Sequence, residues 1–325
     1  TVKILVIQTA FLGDVILATA VLEKLHQVNP NWKIDFLIRK GNEQVVENHP
    51  FISKLYIWNK KQGKYKNLLQ LIGEIRGEKY DYIINLQRFA ASGFITVSGG
   101  AKNTIGFDKN PLSFLFSSKF PHHIDEKTTM HETERNQSLI TAITDKETSL
   151  PKLYPTKSDF EKVAIYKTAP YVCMAPASVW FTKQFPAEKW KELIVKMQQK
   201  HLKIYLLGAP VDHSLCEEIK GSSDDIYILA GKLSILQTAA LMKDAQMNYV
   251  NDSAPMHIAS AMNAPVTAIY CSTVPEYGFG PLSQNSKIIE TKIQLQCRPC
   301  GLHGYAKCPL GHFDCAFTID VNGMD

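Results

Sequence analysis

The chain has 325 residues, carries a formal net charge of +5, and is 45% hydrophobic and 21% charged. That length exceeds what one hydrophobic core usually serves, so two domains of about 150 residues are expected. No apolar run reaches the roughly 18 residues of a membrane-spanning helix. The apolar opening Val2 to Leu22 is broken by Gly13 and Asp14 and lacks a cleavage site, so a cytoplasmic protein without a signal peptide is expected.

Strands and helices alternate from the start. Val2–Gln8 has the pattern of a fully buried strand and Asp14–Leu25 that of a helix with an apolar stripe at Ile16, Ala20 and Leu25. Lys33–Ile38, Lys54–Trp58 and Tyr82–Leu86 are the next strands, with a helix at Tyr65–Ile75. Prolines punctuate residues 108–156, where Glu132–Ala142 is the one solid helical pattern. Alternation resumes with strand Tyr171–Ala175 and helix Pro186–Gln199, whose Trp190, Leu193, Ile194 and Met197 share one face. Lys203–Leu207, Met247–Asn251 and Val266–Tyr270 are further strands; His213–Lys220, Ile235–Asp244 and Pro255–Met262 are helices. The pattern implies an α/β protein of two facing Rossmann-like domains with parallel sheets, residues 1–160 and 161–325.

In open parallel sheets ligands collect at the carboxyl ends of strands. One such turn is Gln8 to Asp14, where Gly13 allows a tight turn and Asp14 opens a helix; most Asp residues at such positions are simple N-caps. Glycine spacing excludes a dinucleotide fingerprint, and no Walker A sequence occurs. The second turn is Asn251 to His257, where Ser253 can cap and Pro255 suits the first helical position. Backbone amides there would be free for a phosphate.

The excess positive charge lies in the first half, and Lys60, Lys61, Lys64 and Lys66 form its sharpest cluster, suited to an anionic partner or simply a solvated face. Cys173, Cys216 and Cys271 stand singly, as buried free thiols do. Cys297, Cys300, Cys308 and Cys315 have the spacing C-x2-C-x7-C-x6-C, with His303 and His312 nearby. They are candidate ligands of a structural zinc, with packed thiols or a redox-dependent disulfide as the alternatives.

The string Asn251 to Pro265 (NDSAPMHIASAMNAP) resembles the signature of glycosyltransferase family 9, the lipopolysaccharide heptosyltransferases, although Ala254 stands where the family usually has Gly. Leu12-Gly13-Asp14, Thr182 to Pro186, Gly208 to Asp212 and Ala230 to Ser234 are similar to further family motifs in the family's order. The resemblance implies a GT-B architecture and an inverting, metal-independent transfer of heptose from ADP-heptose to an anionic lipid A core. It implies Asp14 as general base, Thr182, Lys183, Ser253, Ala254 and His257 around the donor diphosphate, and Asp252 as the donor-site residue that orients the sugar hydroxyls. Asp212 would hold the ribose and Leu233 would lie against the adenine.

Lys60, Lys61 and Lys64 are then the acceptor candidates, with Arg88, His122, His123 and His131 more readily explained as structural. No required cofactor, no nucleic acid, a monomer, and peripheral contact with the inner membrane are expected. Two other readings compete: an enzyme of the same architecture using another nucleotide sugar, such as an epimerase, and a nucleotide-binding protein without activity.

Overall fold

The computed structural model describes residues 1–61, 63–125 and 130–324. The chain divides into two compact units, Thr1–Tyr154 and Pro155–Asp325, a few residues before the boundary expected at 160.

The first unit runs β1 (Lys3–Ile7), α1 (Leu12–Val28), β2 (Lys33–Arg39), β3 (Ile52–Trp58), α2 (Lys64–Glu78), β4 (Tyr82–Asn85), α3 (Ala90–Ser98), β5 (Asn103–Phe107), β6 (Ser118–Phe120) and α4 (Glu132–Ser138). Its six strands form one sheet in the order β3-β2-β1-β4-β5-β6. The pairings are parallel throughout. Ile4 to Ile7 of the central strand β1 have no solvent exposure, because helices cover both faces. On one face Leu5, Ile7, Leu37, Trp58, Ile75, Ile83 and Ile95 form the core beneath α2 and α3.

Helix α1 departs from the amphipathic stripe expected of it: every residue from Val15 to Leu25 is buried. Its outer side is covered by α4 and the segment that follows. There Lys24 pairs with Asp145, Lys152 N–H donates to Thr19 Oγ1 at 3.0 Å, and Tyr154 Oη donates to Glu23 at 2.5 Å. Helix α4 ends at Ser138, earlier than its sequence pattern suggests.

The second unit runs α5 (Lys157–Val163), β7 (Tyr171–Ala175), α6 (Ala187–Gln199), β8 (Lys203–Leu206), α7 (His213–Lys220), β9 (Ile226–Ile228), α8 (Ile235–Lys243), β10 (Met247–Asn251), α9 (Ala254–Ala261), β11 (Val266–Tyr270), β12 (Ser286–Glu290) and α10 (Asp314–Phe317). Its sheet has the order β12-β11-β10-β7-β8-β9, again parallel throughout. Trp190, Leu193, Ile194 and Met197 of α6 enter the core as their spacing requires. Phe313, Cys315, Ala316 and Ile319 of the C-terminal segment join the same core. Strands β5, β6, β9 and β12 went unread in the sequence: β6 and β9 have only three residues each, β6, β9 and β12 are edge strands with exposed positions, and β5 (NTIGF) mixes polar residues and glycine into its run.

Candidate active site

In both sheets the order in which strands are added reverses at equivalent places, between β1 and β4 and between β7 and β10. Loops leaving the two central strands in opposite directions open a crevice there, the usual ligand position of doubly wound sheets. Each reversal carries residues singled out by the sequence.

In the first unit the crevice is built by the β1–α1 turn and the loop after β4. Thr9 Oγ1 donates to Gln87 Oε1 at 2.6 Å, tying the two loops together. Asn42 Nδ2 and Lys60 Nζ donate to the carbonyls of Ala10 and Thr9 at 3.1 and 2.8 Å, fixing the turn from the β2 and β3 sides. Gly13 lies in the first turn of α1 and not in the turn before it.

Asp14, also in that first helical turn, accepts the Phe11 N–H at 3.2 Å, the behaviour of an ordinary capping carboxylate. Its acidity is not ordinary. Protein packed around the carboxyl, and next the negative charge of Glu132, push its pKa up to about 6, against the amides of Phe11 and Asp14 and the Arg39 guanidinium. A helix start alone would have lowered it; burial and Glu132 win. The result is a carboxylate basic enough to take a proton near neutrality.

Of the lysine cluster, Lys60 is drawn onto this turn, with its ammonium 4.7 Å from the centre of the Trp58 ring. Lys61 and Lys66 are exposed nearby in sequence, and the side chain of Lys64 lies outside the described residues. Phe11 is exposed and has the Arg39 guanidinium 4.8 Å from its ring centre. Arg88 is half-buried and His123 exposed. His131 caps α4 by accepting the Thr133 N–H, a structural role, and His122 is buried against Glu132.

In the second unit Lys183 leaves the loop after β7 and meets Asp252 at the end of β10, Nζ to Oδ2 2.7 Å, across the reversal point. Thr273 Oγ1, beyond β11, donates to the same carboxylate at 2.6 Å. Asn251 accepts the Phe185 N–H at 3.0 Å and donates to Pro176 O at 2.8 Å, locking the lysine's loop to β10. Helix α9 starts at Ala254, so Pro255 is its second residue and not its first. Ser253 holds the N-cap position without capping: its hydroxyl turns back to Asn251 O at 3.4 Å. The side chain therefore leaves the Ala254 amide, the first of α9 and two residues on from Asp252, without a cap; Pro255 has no N–H, and Met256 N–H donates to Ser253 O at 3.0 Å. His257 is buried on the first turn of α9.

The two remaining donor motifs meet each other. Gly231 N–H donates to Gly208 O at 2.9 Å, and a Cβ on Gly231 (φ +75) would stand 2.9 Å from Pro210 Cα. The loops after β8 and β9 are thus packed backbone to backbone, which places Asp212 and half-buried Leu233 on adjoining loops. Asp212 Oδ2 accepts the Ala209 N–H at 2.7 Å and so serves the local turn.

The cysteine segment has a structural task that its spacing did not reveal. Thr182 N–H donates to Tyr305 O at 3.1 Å, and Tyr305 N–H donates to Thr182 Oγ1 at 2.7 Å. Cys300 N–H donates to Ser272 O at 2.7 Å, while Arg298 bonds the carbonyls of Cys271 and Thr273, both at 2.8 Å. The segment is therefore a strap across the loops that carry Lys183 and Thr273.

Among the described residues no group of three or more His, Cys, Asp or Glu side chains is arranged to hold one metal ion. Cys315 is in the core, the Cys300 thiol donates to Cys297 O, and Cys297 Sγ lies 4.0 Å from His312 Nε2. As arranged, this donor set does not fit a tetrahedral zinc, whose ligands converge to about 2.0–2.3 Å. Burial pushes the Cys315 thiol up to about 12, and that of Cys300 upward, with neighbouring cysteines adding to both.

Sequence reasoning missed Glu132, Gln87, Thr273 and Tyr305. Only Thr273 had a legible signal: a Ser-Thr pair one residue beyond a strand end. The others depend on contacts across long stretches of chain.

Two parallel sheets of this order, each with its polar crevice at the reversal point, define the GT-B class of nucleotide-sugar enzymes. The model of glycosyltransferase family 9 (heptosyltransferase) matches residues 68–305, and the chain belongs to that family of glycosyltransferases. It is 27% identical over 312 residues to lipopolysaccharide heptosyltransferase 1 of Campylobacter coli, covering 89% of each chain. The fold is similar to that of a family 9 glycosyl transferase from Veillonella parvula, with a TM-score of 0.86, 21% identity, and coverage of 99% of this chain and 94% of that one. It is also similar to the ADP-heptose lipopolysaccharide heptosyltransferase II of E. coli, with a TM-score of 0.77, 19% identity and coverage of 93% and 92%. Among the described residues no helix is long and apolar enough to cross a membrane.

Proposed function

We propose that the chain transfers a heptose from ADP-heptose to a lipopolysaccharide-core acceptor with inversion at the anomeric carbon. The observation that carries this reading is the convergence of Lys183, Asp252 and the uncapped start of α9 at one reversal point. A largely buried lysine paired to the residue that precedes a helix start suits a diphosphate. The relatives' names supply heptose and the lipopolysaccharide acceptor, and the E. coli neighbour's title supplies the ADP carrier.

The acceptor hydroxyl oxygen attacks the anomeric carbon, and its proton passes to the Asp14 carboxylate. The bond from the anomeric carbon to the β-phosphate oxygen breaks, and its electron pair leaves on ADP. Lys183 and the dipole of the α9 start take up the charge that develops on the diphosphate, as fixed dipoles and charges do in place of a divalent cation. Asp252 has a second duty before donor arrives: it pairs with the lysine. We assign the side of the first crevice formed by exposed Phe11 and half-buried Arg39 and Lys60 to the anionic acceptor, and keep Lys61 and Lys64 as further acceptor candidates on their sequence alone. An acceptor of that kind would bring the protein to a membrane surface from the cytoplasmic side, as a peripheral monomer.

The test is a mass-spectrometric transfer assay with ADP-heptose and a panel of truncated lipid A cores, run beside UDP- and GDP-sugars. Heptosyl product with ADP-heptose alone is expected. Transfer from UDP- or GDP-sugars in preference would overturn the donor assignment, and epimerised nucleotide sugar without transfer would favour the epimerase reading.

A further inference from the structure

The buried Thr273 sits on the connection from β11 to β12, and the strap holds the backbone there along three successive residues. Arg298 Nε donates to Cys271 O at 2.8 Å, Cys300 N–H to Ser272 O at 2.7 Å, and Arg298 Nη2 to Thr273 O at 2.8 Å. Arg298 is itself anchored by Glu290, the last residue of β12, with Nη2 2.6 Å from Oε2. Cys271, Ser272 and Thr273 belong to no strand or helix, so the strap supplies the bonds that regular structure would.

The same loop is tied to the one that carries Lys183. Ser272 N–H donates to Thr182 O at 3.2 Å, and the Ser272 hydroxyl donates to Thr182 Oγ1 at 3.0 Å. Thr273 and Lys183, the next residue of each loop, then deliver their donors to one oxygen. Thr273 Oγ1 lies 2.6 Å from Asp252 Oδ2, and Lys183 Nζ lies 2.7 Å from it. All three side chains are largely buried. A lysine that turns to an incoming diphosphate leaves this carboxylate where little water can replace the ammonium, and an unpaired buried charge is costly. The Thr273 hydroxyl is the donor that stays. Its bond strengthens when the ammonium no longer competes for the same oxygen.

We propose that Thr273 is a positioning residue for donor binding: its hydroxyl, held in place by Arg298, keeps Asp252 satisfied while Lys183 is released to the diphosphate. The hydroxyl thereby eases the exchange of one partner of the lysine for another. Without it, Asp252 depends on the lysine alone and retains it more tightly. The strap acts on the donor through this route, by fixing the backbone of Thr273 and not by touching the donor itself.

This inference rests on Lys183 receiving the diphosphate, so the experiment carries Lys183→Met alongside. ADP affinity is measured by calorimetric titration, and donor and acceptor KM by turnover, with thermal melts as the folding check. Thr273→Val keeps the shape and removes the hydroxyl. It is expected to weaken ADP binding about tenfold and to raise donor KM in step, with acceptor KM unchanged. Thr273→Ser, which keeps the hydroxyl, should recover most of that loss. In an Asp252→Asn background no charge is left to be held, and Thr273→Val should then cost less than about threefold. Wild-type ADP affinity in Thr273→Val, or an equal loss in both backgrounds, overturns the proposal; so does a Thr273→Ser variant as weak as Thr273→Val. Should Thr273→Val fail to fold, Arg298→Gln is compared in the same two backgrounds. A loss that shrinks with Asp252→Asn supports the proposal, and no loss or an equal one overturns it. If Lys183→Met binds ADP as tightly as the wild type, the diphosphate reading fails first, and the proposal with it. If Lys183→Met binds weakly and Thr273→Val does not, that reading stands and the proposal alone falls.

Discussion

Lys183 and Asp252 form a 2.7 Å ion pair across the reversal point of the second sheet, with the two side chains only 14% and 8% exposed. A lysine meant for a diphosphate is thus kept in place by a carboxylate until the diphosphate competes for it. Charge-assisted bonds of this kind contribute about 1.5–3 kcal/mol. Lys183→Met is therefore expected to weaken ADP binding by roughly 10- to 100-fold. It also leaves Asp252 as a buried anion facing the incoming phosphates. Adding Asp252→Asn to Lys183→Met should recover part of the lost affinity. Calorimetric titration with ADP checks this, and a double variant that binds no better than Lys183→Met refutes the pairing as the cause.

Asp14, with its pKa near 6, ties activity to pH. The base works only when deprotonated, so kcat should rise as pH passes upward through about 6. Asp14→Asn should lower kcat by roughly 10²–10⁴ and leave ADP affinity nearly unchanged. Stability carries the opposite sign. The folded value stands above the ordinary 3.8, so the fold binds this proton more tightly than the unfolded chain does. The stabilisation is complete below about 4 and is lost as pH climbs through about 6. Asn is neutral at every pH and can still accept the Phe11 N–H. Asp14→Asn should therefore raise Tm at pH 8 and leave it almost unaltered at pH 4. Equal shifts at both values would show that the carboxyl's charge is not the source.

How much of this was legible in the sequence follows from the range of the interactions. Strands such as β1 and helices such as α6 carry their own hydrophobic period, and residues at helix starts and strand ends, Asp14 and Asp252 respectively, are marked by the chain's local grammar. Glu132 was visible only as the opening of a helix in a proline-rich stretch, because the burial that makes its pairing with His122 and Arg135 matter has no mark in residue types. Lys60 looked like one of four surface lysines; its hydrogen bond to Thr9 O, 51 residues away, decides otherwise. Asp212 went the other way. Its motif suggested a ligand contact, and the structure engages its carboxylate with the amide of Ala209. The cysteine spacing suggested a metal, whereas the backbone bonds around Cys300 and Tyr305 that make the segment a strap leave no trace in residue types.

The loop after β4 is held by Asn110, whose Nδ2 donates to Gln87 O at 3.1 Å and Phe89 O at 3.0 Å. Gly93 makes room for this side chain; a Cβ there would stand 2.2 Å from Asn110 Oδ1. Because Gln87 also receives the Thr9 hydroxyl, the latch reaches the β1–α1 turn. Asn110→Ala takes the donor from the buried Gln87 carbonyl, a loss of about 1–3 kcal/mol, while Phe89 O keeps the Ser92 hydroxyl and the Gly93 N–H. Faster amide exchange over residues 87–93 and a raised acceptor KM are expected, with donor KM unchanged. Exchange rates indistinguishable from wild type would remove Asn110 from this role.

The strap over Lys183 can be tested with two glycines that differ in one respect. Gly304 and Gly311 both hold left-handed backbone, φ +73 and +79, so alanine strains each to a similar degree, about 1 kcal/mol. At Gly311 an added Cβ meets nothing within 4 Å. At Gly304 it would stand 2.7 Å from Thr182 Oγ1, 3.2 Å from Ser272 Oγ and 3.3 Å from Lys183 Cγ. Thr182 Oγ1 cannot swing away freely, since it accepts the Tyr305 N–H at 2.7 Å and the Ser272 hydroxyl at 3.0 Å. The clash must therefore be relieved by shifting the strap or the lysine's loop. Gly304→Ala is expected to weaken ADP binding about tenfold or more, while Gly311→Ala lowers Tm slightly and leaves ADP binding intact. Equal losses of affinity in the two variants would trace the effect to backbone strain, and the strap would then have no hold on Lys183.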